Sequence, residues 1–319
     1  MLKPKLLSLQ KIWDFVPHAA LTDLIRFQDR WFCCFRESDE HVHGENGAIR
    51  VLYSEDGKYW ESVAYFQQRD RDLRDPKLSV TPDGRLMLLI GSASYYEKDY
   101  KDFSSLVAFS VTGQTFSPWQ QIAEPHEWLW RITWHKGLAY GVSYRWIGLP
   151  DAQASLWVSD DGINFSKICD LNVYGSPSEG TIRFLSDDRA VMLLRRDKEG
   201  ADTALIGIAN PPYKEWKWTD TAIHFGGPNF LVMPDGKMWA AGRILQKKSG
   251  DLIEKVALCR MQLDGFSSIA ILPSGGEDTS YPGMVWHEGV LWLTYYSSHE
   301  DTTAIYFASL QLPNTQQFL

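Results

Sequence analysis

One short pattern recurs six times along this chain, and its period leaves few folds open. Each copy is a tight turn followed by an apolar run. The turns are Gln28-Asp29-Arg30, Asp83-Gly84-Arg85, Lys136-Gly137-Leu138, Asp187-Asp188-Arg189, Asp235-Gly236-Lys237 and Glu288-Gly289-Val290. They lie about 50 residues apart, the spacing of propeller blades. Alternating and β-rich runs flank every turn, and convincing amphipathic helices are absent. Four short strands fit each copy, which is the sheet unit of a blade. We therefore expect an all-β chain folded as a six-bladed β-propeller. The last copy holds three clear strands, and a fourth is available at Leu6–Ile12. Placing that N-terminal strand on the last blade closes the ring and removes a sheet edge. The expected organisation is one domain, 1–319, with blades near 17–68, 69–124, 125–172, 173–222, 223–273 and 274–313.

The repeat also aligns a column. Seven residues after the middle of each turn stand Arg36, Gly91, Tyr144, Arg195, Arg243 and Tyr296. That position ends the second strand of a blade. The first strands begin at Arg74-Asp75-Pro76, Trp130-Arg131, Ser178-Glu179, Gly227-Pro228-Asn229 and Ser280-Tyr281-Pro282. In a propeller both places border one end of the central channel. The frame thus puts Arg36, Arg195, Arg243, Asp75, Glu179 and Tyr281 at one mouth. Guanidiniums repel one another in a low-dielectric cleft, and their forked donors match a carboxylate. Three in register point to a pocket for a carboxylated small molecule, although each could instead pair with an acid of its own. A buried carboxylate beside a phenol can take its proton and make it a nucleophile, which singles out Glu179 and Tyr281. Read alone, either residue fits a structural role.

Charge and composition narrow the partners. The net charge of −8 opposes a nucleic-acid or anionic-membrane partner. Fourteen tryptophans suit strands and sugar-stacking surfaces alike. Those of copy three, Trp128, Trp130 and Trp146 with Tyr144, fit inter-blade packing slightly better. Cys33, Cys34, Cys169 and Cys259 have neither disulfide nor zinc spacing and read as free thiols. The loop Ser38–Asn46 carries Asp39, His41, His43 and Glu45, groups suited to proton transfer. His41-x-His43 offers two metal ligands without an evident third, so neither metal nor cofactor is expected. Met1–Leu7 lacks a signal-peptide core and no run is long enough to span a membrane, which gives a cytoplasmic expectation. The polar segment Tyr95–Tyr100 reads as a loop overhanging the mouth.

Two further features carry a family resemblance. The segments Ser54-Glu55-Asp56-Gly57-Lys58-Tyr59-Trp60 and Ser159-Asp160-Asp161-Gly162-Ile163-Asn164-Phe165, with a weaker copy at Ser110–Phe116, resemble the Asp-box of sialidases. The order arginine, Asp-Pro, glutamate, arginine, arginine, tyrosine is similar to that of exo-sialidases, glycosidases built on a six-bladed propeller. This resemblance implies that Arg36, Arg195 and Arg243 hold a sugar carboxylate. It implies Tyr281 as nucleophile with Glu179 as its base, an exception among retaining glycosidases. It places Asp75 against the sugar. Arg74 and His41, apart from the resemblance, are further candidate substrate contacts. Where the family has Arg-Ile-Pro this chain has Phe35-Arg36-Glu37-Ser38, and its following loop has no clear match to the family's acid/base aspartate. The proton donor is left open between His43, Asp39 and other groups of that loop. The substrate is left open among sialic acid, a uronic acid and other acidic sugars. Two alternatives keep the fold: a polysaccharide lyase acting on uronate-containing glycans, and a non-catalytic carbohydrate-binding propeller. Nothing in the sequence assigns an oligomeric state.

Overall fold

The structure, a computed structural model, describes residues 3–42, 47–97, 99–248 and 250–313. It consists of six four-stranded antiparallel sheets, and no helix occurs among the described residues. Five sheets take their strands in chain order; blade one is His18–Phe27, Arg30–Ser38, Ala48–Ser54 and Glu61–Phe66. The sixth takes Thr279–His287, Val290–Ser297 and Ala304–Gln311, then Lys5–Trp13 as its outer strand. That strand pairs antiparallel with Ala304–Gln311, so the two ends of the chain close the ring as the repeat requires.

The inner strands are His18–Phe27, Asp72–Val80, Trp128–His135, Pro177–Phe184, Gly226–Val232 and Thr279–His287, each touching its neighbours around the axis. All six break register against their second strand at the same level. The breaks fall between Ala20 and Asp23, Arg74 and Lys77, Leu129 and Ile132, Pro177 and Gly180, Gly226 and Asn229, and Ser280 and Gly283. A bulge re-aims side chains and sharpens twist, so a ring of six sets one belt of side chains at the channel mouth. Four breaks contain a residue in the left-handed region: Leu21 (φ 64°), Asp75 (φ 49°), Gly227 (φ 58°) and Tyr281 (φ 50°). For non-glycine residues that conformation costs on the order of 1–3 kcal/mol and persists only where packing imposes it.

Between blades the packing is apolar. Trp239 and Leu258 of blade five, for example, pack with Leu293, Tyr295 and Ala308 of blade six. The serine-aspartate turns explain their own residue types. Ser54 Oγ accepts the Gly57 N–H at 2.9 Å, and Asp56 Oδ1 accepts those of Lys58 and Tyr59 at 2.8 and 3.1 Å. Ser159 and Asp161 repeat the pattern with Gly162, Ile163 and Asn164, at 2.9, 2.7 and 2.8 Å. The glycines take positive φ, and Trp60 then packs on Phe307 of blade six with centroids 5.1 Å apart. These turns connect the third and fourth strands of a blade and pack against the neighbouring blade, a structural position.

One expectation is corrected. Tyr95–Tyr100 is not a loop: the second and third strands of blade two continue as Leu86–Tyr96 and Asp99–Ser110, with Tyr95 opposite Tyr100. The aromatic residues support the extension, since Tyr100 packs edge-on against Trp146 at 5.1 Å. The polar residues between them conceal that in the sequence.

Candidate active site

Tyr281 and Glu179 occupy the bulges of the sixth and fourth inner strands, and both are buried. The Tyr281 hydroxyl donates to Glu179 Oε1. Arg195 Nη1 donates to the same oxygen at 2.9 Å and stands 3.5 Å from the phenol oxygen. Glu179 Oε2 accepts the Gly227 N–H at 2.7 Å. Burial alone would raise the Glu179 pKa, but Arg195, the phenol and the amide together hold it below the ordinary carboxylate value. The phenol is pushed well above its ordinary value by burial and by Glu179, against Arg195 and Arg243. At rest the pair is therefore phenol and carboxylate, with the proton acceptor already in place. Arg243 completes this side. Its Nη1 lies 3.2 Å from Glu254 Oε2 and 3.8 Å from Asp278 Oδ1, while its buried Nε has no partner.

Arg36 is held differently. Its Nε donates to Asp72 Oδ1 at 2.7 Å and its Nη1 to the Glu40 carbonyl at 2.8 Å. Arg74 donates to Asp72 Oδ2 at 3.1 Å and to the His41 carbonyl at 2.7 Å. Tyr95 Oη and the Gly47 N–H also donate to Asp72, at 2.9 and 3.0 Å. A Cβ on Gly47 would collide with the Arg36 guanidinium, so only glycine closes this wall. Of the three arginines in the column, Arg195 and Arg243 adjoin the tyrosine-glutamate pair, and Arg36 is locked on Asp72. Each of the three has an acidic neighbour.

The vacant positions of the column have physical causes. Gly91 leaves room for the Trp128 indole, which a side chain there would strike. Tyr144 stacks on Trp146 at 5.3 Å, and Trp146 on Phe103 at 4.2 Å, so these aromatics pack between blades. Trp130 differs: it packs on Tyr281 at 5.2 Å, with Lys77 Nζ 4.3 Å above its ring. Tyr296 stacks on Tyr281 at 5.8 Å and donates to Asp278 Oδ1 at 2.8 Å. Asp75 is buried with its Oδ1 unpartnered; burial raises its pKa, against the pull of Arg74 and Lys77.

Asp278 is a hub that sequence reasoning missed. Its Oδ2 lies 2.9 Å from His18 Nε2 and 2.7 Å from His41 Nδ1. These three side chains bring donor atoms within 4.8 Å of one another, close enough for a metal ion, but Arg243 on the same carboxylate opposes a dication. A cleft of about 780 Å³ opens here, lined by Asp39, His41, Arg243, Glu254 and Asp278 among others. Asp39 sits at its rim, accepting from Ser38 Oγ at 3.1 Å, and His43 lies outside the described residues. Asp72, His18 and Lys77 were also missed, and Tyr296 stands in the column without an expected role. Asp72 carried a usable signal, being two residues before Arg74 and hence on the same strand face. Asp278 carried none.

No family model matches the chain, and no curated protein matches it. Solved structures do. A protein of unknown function from Dyadobacter fermentans superposes with a TM-score of 0.83 at 16% identity, over 98% of this chain and 100% of that one. Trypanosoma rangeli sialidase superposes with a TM-score of 0.67 at 12% identity, over 92% of this chain but 55% of that one. A mutant α-L-arabinofuranosidase from Fusarium graminearum, in complex with an iminosugar inhibitor, gives a TM-score of 0.64 at 13% identity, over 92% and 93%. The fold is a six-bladed propeller of the sialidase type. Its structural neighbours include a sialidase and an α-L-arabinofuranosidase.

Proposed function

We propose that this chain is an exo-acting glycoside hydrolase that retains configuration and takes a sugar bearing a carboxylate. The observation that carries the reading is the buried Tyr281 phenol donating to Glu179, with Arg195 on the same oxygen. In this mechanism the Tyr281 oxygen attacks the anomeric carbon while its proton passes to Glu179. The bond from that carbon to the leaving oxygen breaks, and the leaving oxygen takes a proton from a second acid. Water then releases the sugar from tyrosine. Because burial raises the phenol pKa, proton loss accompanies attack rather than preceding it. Arg195 and Arg243 bind the sugar carboxylate. Asp75 suits the second acid: burial keeps its proton on to higher pH, and one oxygen has no internal partner. Asp39 and His43, the candidates from the loop, are the alternatives to it.

A second reading follows from the acidic neighbours of all three arginines. A site already matched in charge suits a neutral sugar, such as a furanoside, and Arg195 would then serve Glu179 alone. Aryl sialosides, aryl glucuronides and aryl arabinofuranosides, assayed in parallel, separate the two. Reporter release from an acidic glycoside, with a fluorinated analogue of the same sugar trapped covalently on Tyr281, is the expected result. Release from the neutral glycoside alone transfers the reading to the second. A rise in ultraviolet absorbance on a uronate polysaccharide would indicate a lyase, and saturable binding without turnover a carbohydrate-binding propeller.

A further inference from the structure

Beneath the mouth, the channel wall carries more positive charge than its acids match. Lys77 (2% exposed), Arg131 (5%) and Arg183 stand on the inner strands of blades two, three and four. The contacts of Arg131 and Lys77 show that they reach inward, and Arg183 bridges to the inner strands on either side of its own. Arg131 meets Asp23 of blade one, and Lys77 Nζ lies 5.7 Å from the Tyr281 ring of blade six, neither in an adjacent blade.

The acids do not balance them. Asp23 takes Arg131 Nη1 on both oxygens, at 2.9 and 2.8 Å, and the Leu78 N–H at 2.9 Å. Arg183 has neutral acceptors only: Thr133 Oγ1 at 2.6 Å, the Ile182 carbonyl at 2.9 Å and Asn229 Oδ1 at 3.1 Å. Lys77 bonds the Pro76 carbonyl at 3.2 Å, and among the described residues no carboxylate lies within ion-pair distance of it or of Arg183. Arg131 Nε is buried without a partner. An uncompensated buried charge costs several kcal/mol, and an arginine does not escape that cost by losing its proton. Burial and Arg131 push the Arg183 pKa down to about 9, with Asp23 opposing. Lys77 is lowered by burial, with Arg131 adding to it against Asp75 and Asp23.

We propose that a small inorganic anion, chloride in ordinary buffers, occupies the channel between Arg131 and Arg183 and matches this charge. Arg183 keeps part of its surface accessible and lies near the end of its strand away from Glu179, so an ion reaches it without crossing the mouth. The bound anion makes the channel floor part of a charge-balanced core.

Two measurements test this, and neither involves turnover. Crystals grown in sodium bromide are expected to show an anomalous bromine peak within hydrogen-bonding reach of Arg131 Nε and Arg183. Melting temperature at equal ionic strength is expected to be about 2 °C or more higher in chloride or bromide than in sodium isethionate, whose anion is larger. Arg183→Gln should abolish that difference; should it fail to fold, Lys77→Met gives the same readout. Absence of a channel peak, equal melting in all three salts, or an undiminished halide effect in the folded variant would each overturn the proposal.

Discussion

Arg36 and Arg195 hold the same place in the repeat and have opposite surroundings. The Arg36 side chain is 1% exposed and shares Asp72 with Arg74 under a lid of Gly47 and Tyr95. The Arg195 side chain is 17% exposed and sits on a glutamate that is also bonded to a phenol. Periodicity fixes where a Cα lies at the mouth. What the guanidinium then does is set by neighbours that the repeat does not share. The blade-one side is a buried ion network centred on Asp72, in which Arg36 Nη2 is left without a partner, and such networks stabilise geometry. Across the mouth, the blade-four to blade-six side keeps a proton acceptor, a phenol and a second arginine with an unpartnered nitrogen. On the proposed function the first side is scaffold and the second is where the reaction takes place.

The largest effect should come from the open side. Tyr281→Phe removes the proposed nucleophile and leaves Glu179 its bonds to Arg195 and Gly227, so kcat should fall about 10⁴-fold with little change in melting. Retained turnover in that variant would make the tyrosine a packing residue and erase the distinction. On the closed side, Asp72→Ala strands Arg36 and Arg74 in a buried place. It should cost about 3–5 kcal/mol in denaturant unfolding. Loss of turnover at full stability would show instead that Asp72 belongs to the reacting site. Arg195→Met is the intermediate case. We expect kcat/KM to fall about 10²–10³-fold with a smaller loss of stability than in Asp72→Ala, because Asp197 and Glu179 are left with other donors or solvent.

The sequence made the ring legible because turn chemistry and strand alternation are local, and six copies reinforce one another. It made the tyrosine-glutamate pair legible for the same reason: both residues open an inner strand at the bulge. The closed network escaped it. Asp72 precedes the aligned position by several residues, and its pairing with Arg36 joins two blades, which periodicity cannot express. Asp278 escaped more completely. It lies in the approach to the last blade, outside the repeat, and its partners His18 and His41 come from the first blade. Even Gly91 reads as an empty position until the Trp128 ring is seen in its place.

The smallest effect concerns acid stability and compares the two carboxylates that anchor the two sides. Burial would raise both, but Asp72 is held below its ordinary value by Arg74 and Arg36, and Asp278 far below it by hydrogen bonds from His18 and His41. A depressed carboxylate contributes stability above its unfolded value near 3.8, and that contribution is lost as pH falls through the folded value. Asp278→Asn should therefore unfold more easily than the wild type by about 1–2 kcal/mol near neutral pH, and the gap should begin to narrow below about pH 4 and go on narrowing as pH falls. Asp72→Asn should show the same narrowing gap from a larger starting value, since its two arginines stay charged throughout and lose more when the carboxylate goes. Urea unfolding of both variants between pH 3 and 7 measures the two gaps. If Asp278→Asn proved the more damaging, the hub beside Arg243 would be the true keystone of the mouth, and the division into a structural side and a reactive side would have to be redrawn around it.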